Sequence, residues 1–141
     1  MKEEGSLIKS IYKILSANDI GLTGGHQAGI LIPRDEEILS FFPELNKKEK
    51  NPRHLLTFFD DSDQRWEFSF IYYNNRFFGG TRNEYRLTRM TNYIRSHNLK
   101  VGDELHLVNE GDGIRKVTYK RTLETERNKL RLSGEWKIIR I

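Results

Sequence analysis

Trp66-Glu67-Phe68-Ser69-Phe70-Ile71-Tyr72-Tyr73 sets Trp66, Phe68, Phe70 and Tyr72 on one face of an extended chain. A period of two in a run this rich in aromatic residues marks a strand with a buried face. Leu55–Phe59 precedes it across Asp60-Asp61-Ser62-Asp63, four turn formers that suit a hairpin. Working outward, Leu105–Asn109 and Arg115–Lys120 read as a second hairpin around Gly111-Asp112-Gly113. Leu7–Leu15, Ala28–Ile32 (closed by Pro33), Tyr85–Met90 and Glu135–Ile141 read as further strands. Two short helices are expected, Asp35–Phe42 with acids in its first turn and Pro43 at its end, and Asn92–Asn98. Many short strands with two brief helices predict a mainly β, barrel-like domain.

The 141 residues fit one domain, 1–141, large enough to bury a core without covalent staples. The absence of cysteine excludes disulfides, a thiolate zinc site and a thiol nucleophile, and fits a reducing compartment. His26, His54, His97 and His106 show no metal-ligand spacing, so neither a metal nor a cofactor is expected in this domain. Met1-Lys2-Glu3-Glu4-Gly5 lacks the cationic and apolar regions of a signal peptide, and no window nears the roughly 18 apolar residues of a membrane span. A cytoplasmic protein with no membrane partner is expected.

The formal net charge is only +4, so its distribution matters more than its size. Between Asn74 and Lys100, Arg76, Arg82, Arg86, Arg89, Arg95 and Lys100 face Glu84 alone, a local excess of +5. Arginine's planar fork pairs with phosphate or with a guanine edge, although a solvated basic face has the same composition. Arg34–Lys50 mixes both signs and reads as ordinary surface.

Two loops carry the chemistry. Ser16–Gln27 is about a dozen residues long with three glycines, and Asn74–Arg89 centres on Gly79-Gly80-Thr81-Arg82-Asn83-Glu84-Tyr85-Arg86. Arginine reads guanine O6 and N7, Asn and Gln read adenine, and Glu accepts from cytosine N4, so the second loop suits G·C pairs. The plainer alternatives are a Glu84 that merely neutralises Arg82 or Arg86, a surface His26, and a Gly24-Gly25 that is only a turn.

Ser16-Ala17-Asn18-Asp19, Thr23-Gly24-Gly25-His26-Gln27-Ala28-Gly29, Ile32-Pro33, Asn51-Pro52, Ile71-Tyr72-Tyr73-Asn74 and Thr81-Arg82-Asn83-Glu84-Tyr85-Arg86-Leu87-Thr88-Arg89 resemble, in order and approximate spacing, the N-terminal effector domain of the EcoRII-type restriction endonucleases. The resemblance runs from about Ile11 to Tyr119. It implies a DNA-binding pseudobarrel of the plant B-three type, with about seven to eight strands and two arms that enter the major groove of double-stranded DNA. It also implies a CC(A/T)GG target, and a separate tethered catalytic domain, dependent on Mg2+, in a larger bacterial enzyme from which this monomeric, non-catalytic piece is excised. On this reading His26 and Gln27 of the N-arm and Arg82, Asn83, Glu84 and Arg86 of the C-arm read bases. Asn18, Thr23, Arg76, Thr81, Tyr85, Arg89 and Arg95 hold the DNA backbone or support the arms. Leu31, Gly80 and Tyr85 depart from the family pattern.

Three rivals compete. Glu135-Trp136-Lys137 matches half of an Asp…Glu-x-Lys magnesium nuclease site, with Asp112 the nearest upstream aspartate. Tyr72, Tyr73, Phe77 and Phe78 beside arginines could stack single-stranded bases, although alternation assigns at least half of those rings to the core. A protein-interaction module is the third, and the clustered arginines argue against it.

Overall fold

The computed structural model describes residues 10–21, 29–121 and 136–139. Among these residues there are eight strands: β1 (Ser10–Ile14), β2 (Ile30–Ile32), β3 (Arg53–Phe59), β4 (Arg65–Tyr73), β5 (Glu84–Thr88), β6 (Glu104–Gly111), β7 (Ile114–Lys120) and β8 (Trp136–Ile138). Two short helices, α1 (Glu36–Leu39) and α2 (Thr91–Ser96), accompany them, and a 3-10 turn at Asn75–Phe78 occupies a stretch that had read as irregular. Of the expected first and last strands, residues 7–9, 135, 140 and 141 lie outside the described residues.

The strands form one sheet in the order β2-β5-β4-β3-β7-β6-β1-β8. Neighbours run antiparallel except β3 and β7, which meet in parallel at Phe59 and Lys116. The two ends of this order come together. The indole N–H of Trp136 on β8 donates to the carbonyl of Leu31 on β2 at 3.1 Å, so the sheet curls into a nearly closed barrel. Ile11, Ile30, Phe58, Phe68, Leu87, Leu105 and Leu107 fill it, and α2 adds the fully buried Tyr93.

Local chemistry explains the elements. Asp35 caps α1, its carboxylate accepting from the N–H groups of Glu37 (2.8 Å) and Ile38 (3.3 Å). The helix stops after Leu39, earlier than its pattern suggests, because Phe41 and Phe42 turn into the core, where Phe42 stacks on Phe70 at 4.4 Å. The β6–β7 hairpin closes through Asp112-Gly113, both at positive φ (56° and 77°), as a two-residue type I′ turn requires.

β4 departs from simple alternation. Phe68 to Tyr72 are all buried, including Ser69 (7% exposed) and Ile71 (3%) on the outer face. β4 is a central strand here, and Ile71 lies in register between Arg53 of β3 and Arg86 of β5, with a long aliphatic stem on either side. No helix among the described residues is long and apolar enough to cross a membrane.

Candidate nucleic-acid interface

β4 and β5 form an antiparallel pair, yet Asn74 to Asn83 lie between them. Hydrogen bonds tie this long connection into a fixed arm. Asn75 Oδ1 accepts from the Arg82 N–H at 2.8 Å, the Arg76 N–H donates to the Arg82 carbonyl at 2.9 Å, and the Gly80 N–H reaches the Asn75 carbonyl at 2.7 Å. At its root, the buried Asn74 accepts from the Asn51 N–H through Oδ1 (2.7 Å) and donates through Nδ2 to the carbonyls of Lys47 (3.2 Å) and Glu49 (2.8 Å). Asn51 returns the bond, its Oδ1 accepting from the Asn74 N–H at 3.2 Å.

Strand alternation carries Glu84 and Arg86 of β5 onto the outer face, and Arg82, two residues ahead of Glu84, joins them there. One carboxylate oxygen of Glu84 accepts from both arginines, from Arg82 Nη2 at 2.7 Å and from Arg86 Nε at 2.7 Å. Arg82 also lies over the Tyr73 ring, 3.8 Å from its centre, and Arg86 donates to the Gly29 carbonyl at 3.4 Å. The Arg86 side chain is only 9% exposed, whereas that of Arg82 is 40% exposed. Burial pushes the Glu84 carboxyl upward, but the hydrogen bonds and charges of Arg82 and Arg86 outweigh it and hold the group below the usual carboxylate range. The plainer expectation for Glu84, an ion pair, is therefore met with both arginines at once, and each guanidinium keeps donors beyond those bonds.

Asn83 and Tyr85 do not share that face. Their positions alternate with the arginines, and their partners lie on the other side of the strand. The Tyr72 hydroxyl donates to Asn83 Oδ1 at 2.6 Å, and Tyr85 stacks on Tyr72 at 4.2 Å, where burial pushes its hydroxyl pKa up. The two-residue spacing that Arg82, Glu84 and Arg86 share would have separated these two.

Arg76 and Thr81 are exposed on the arm, next to the exposed Phe77 (66%) and Phe78 (44%). Arg89 sits beyond the far end of β5, roughly 17 Å of extended chain from Glu84. It takes a left-handed φ of 66° and lines a separate open cleft of about 460 Å³ with Arg65, Trp66 and Glu67. Arg95 is exposed in the last turn of α2. In the other loop, Asn18 lies in the turn 16–21, which is fixed by the buried Lys13–Asp19 ion pair and by the Ser16 N–H donating to Asp19 at 2.9 Å. Thr23, His26 and Gln27 lie outside the described residues.

Residues 6–101 match the family described as restriction endonuclease EcoRII, N-terminal. The chain belongs to that family. Over 103 residues it is 43% identical to the type II restriction enzyme EcoRII of Escherichia coli, an alignment covering 68% of this chain and 24% of that enzyme. The chain thus spans about a quarter of that relative's length. Among solved structures, the Arabidopsis FUS3–DNA complex matches with a TM-score of 0.60 at 18% identity, covering 79% of this chain and 96% of that one. This likeness establishes the fold, a pseudobarrel of the plant B-three type, as expected.

Gly80 sits tightly against the arm's own anchor. A Cβ there would lie 2.5 Å from Asn75 Oδ1, the atom that holds the Arg82 N–H. The nuclease alternative gains no site among the described residues. Asp112 sits in the β6–β7 turn, Glu135 is outside the described residues, and no cluster of three or more His, Asp or Glu able to hold a metal occurs among the described residues. Of the four rings offered for stacking, Tyr72 is buried and Tyr73 lies under Arg82, leaving Phe77 and Phe78 exposed. Asn51 and Asn74 escaped notice as functional residues because no local pattern links two asparagines so far apart in sequence.

Proposed function

We propose that this EcoRII N-terminal domain binds double-stranded DNA sequence-specifically and is the non-catalytic recognition part of a longer type II restriction endonuclease. The observation that carries this reading is the Arg82–Glu84–Arg86 row, in which Glu84 of β5 accepts both from Arg86 of that strand and from Arg82 just ahead of it. Side chains two residues apart on a strand are offset by about 6.8 Å, close to two base-pair steps along B-DNA. Two donor forks flanking an acceptor therefore match guanines and a cytosine in a G·C-rich major groove. Arg86, buried and held by Glu84 and Gly29, is a pre-set reader, while the more exposed Arg82 can adjust. Ionised, Glu84 is an acceptor only, as a cytosine amino group requires, and the two arginines favour that form.

The finer assignments belong to the same proposal. The target is CC(A/T)GG, His26 and Gln27 read from the N-arm, and Asn83 steadies the C-arm from its inner side. Arg76, Arg89 and Arg95 contact phosphates. The domain acts as a monomer in the bacterial cytoplasm, tethered to a catalytic domain that uses Mg2+. Titration of labelled duplexes carrying CC(A/T)GG or a single-base variant, and of the separate strands, tests this reading. Tighter binding to the first duplex is expected, and equal affinity for all would overturn specific readout. Cut strands on adding magnesium would overturn the non-catalytic assignment.

A further inference from the structure

Arg34–Lys50 reads as ordinary surface from its mixed charges, but the fold gives its end, together with the residues up to Arg53, a particular address. The reciprocal Asn51–Asn74 bonds, with the Asn74 amide on the carbonyls of Lys47 and Glu49, fasten this segment to the root of the C-arm. Asn51 accepts a left-handed φ of 51° to make that junction, a conformation Asn tolerates better than most residues. Lys47, Lys48, Lys50 and Arg53 are all exposed. Glu49 is the one acid among them, and it accepts from the Asn46 amide at 3.2 Å. The pairing register adds a direction. Arg53, Ile71, Arg86 and Leu31 lie side by side across β3, β4, β5 and β2, and residues paired in register share a face. Arg53 therefore stands on the face of Arg86, two strands or about 10 Å away.

We propose that Lys47, Lys48, Lys50 and Arg53 form a third DNA-contacting element, a phosphate clamp that holds the duplex backbone beside the base-reading row. The proposal rests on the DNA-binding reading above. Its chemistry differs from that of the arms, because lysines act as point charges for phosphate rather than as planar readers of bases. Asn51 and Asn74 position the clamp. If the segment and the arm move as one body, a phosphate held by Arg53 fixes the register in which Arg82, Glu84 and Arg86 meet base edges.

The test measures affinity over a salt series for the wild-type chain, Arg53→Ala, the triple variant Lys47→Ala/Lys48→Ala/Lys50→Ala, and Lys120→Ala, an exposed lysine of β7 in the other half of the sheet. The probes are the CC(A/T)GG duplex and its single-base variant. Arg53→Ala should lower the slope of log affinity against log salt by about one unit, equivalent to roughly an eightfold loss at 0.1 M relative to 1 M salt. The triple variant should lower the slope by more than one unit, both should leave the ratio between the two duplexes unchanged, and Lys120→Ala should match wild type. Wild-type slopes in both clamp variants, or a changed ratio between duplexes, would overturn the clamp while leaving DNA binding intact. A wild-type chain that binds neither duplex would overturn both readings. Circular dichroism of each variant checks the fold, and Arg53→Lys, which keeps the charge, should restore the slope.

Discussion

Two hairpins in this barrel solve the same geometric problem at very different lengths. β6 and β7 are joined by Asp112-Gly113 alone, whereas β4 and β5 are separated by everything from Asn74 to Asn83. An antiparallel pair needs only the shorter solution, so the added length of the β4–β5 connection serves something other than chain reversal. Its organisation supports that conclusion. The short turn is held by backbone conformation, while the long one is held by Asn74 and Asn75 and displays Arg76, Thr81 and Arg82 to solvent. Loop length beyond geometric need, combined with internal hydrogen bonding, separates a working arm from a connector.

The largest expected effect lies at the arm's root. Asn74→Ala removes three side-chain hydrogen bonds and should destabilise the fold by about 2–3 kcal/mol, read from urea midpoints. A loss below about 0.5 kcal/mol would mean that the arm stands without its anchor and that the contrast between the hairpins is one of length only. Arg82→Ala should cost about 2 kcal/mol of duplex affinity and relax preference at one base pair, with little change in stability. An unchanged ratio of cognate to variant binding would remove the reading role. The short hairpin predicts the converse: Gly113→Ala, forced into positive φ, should cost about 1 kcal/mol of stability and leave DNA affinity alone. The smallest effect concerns pH. Glu84 titrates below its ordinary 4.5, so its ion pairs are complete above that value and fail only as pH falls through the lowered one. The Glu84 contribution to discrimination between duplexes should stay flat from about pH 8 to about 5.5, and a break in that range that Glu84→Gln abolishes would overturn its ionised role.

Much of this was legible in the sequence wherever the signal was local. Asp35 before an apolar helix, Asp112-Gly113 between strands and the period-two run of β4 each state their own conformation. Arg82, Glu84 and Arg86 were named from the loop's composition and the family resemblance, and their spacing of two carries the further information that they share a face. The same rule separates Asn83 and Tyr85 from them, which a composition-based reading of the loop overlooked. What stayed hidden depended on neighbours supplied by the fold. Ile71 is buried on the outer face only because β3 and β5 flank it. The Asn51–Asn74 junction and the alignment of Arg53 with Arg86 arise from pairing across strands, for which no spacing along the chain is diagnostic.

The Trp136–Leu31 closure and the place of β1 between β6 and β8 bear on how the molecule comes to exist. β1 is the first described strand to leave the ribosome, yet Ser10 pairs with Val108 and Ile11 with Ile138. Its partners are made last. A topology dominated by such distant pairings folds slowly, on the order of milliseconds to seconds, and leaves the edges of β1 bare during synthesis. A chain shortened ahead of Trp136 would keep the C-arm and its anchor but leave one edge of β1 open, and aggregation should then appear before any loss of the arm's own chemistry.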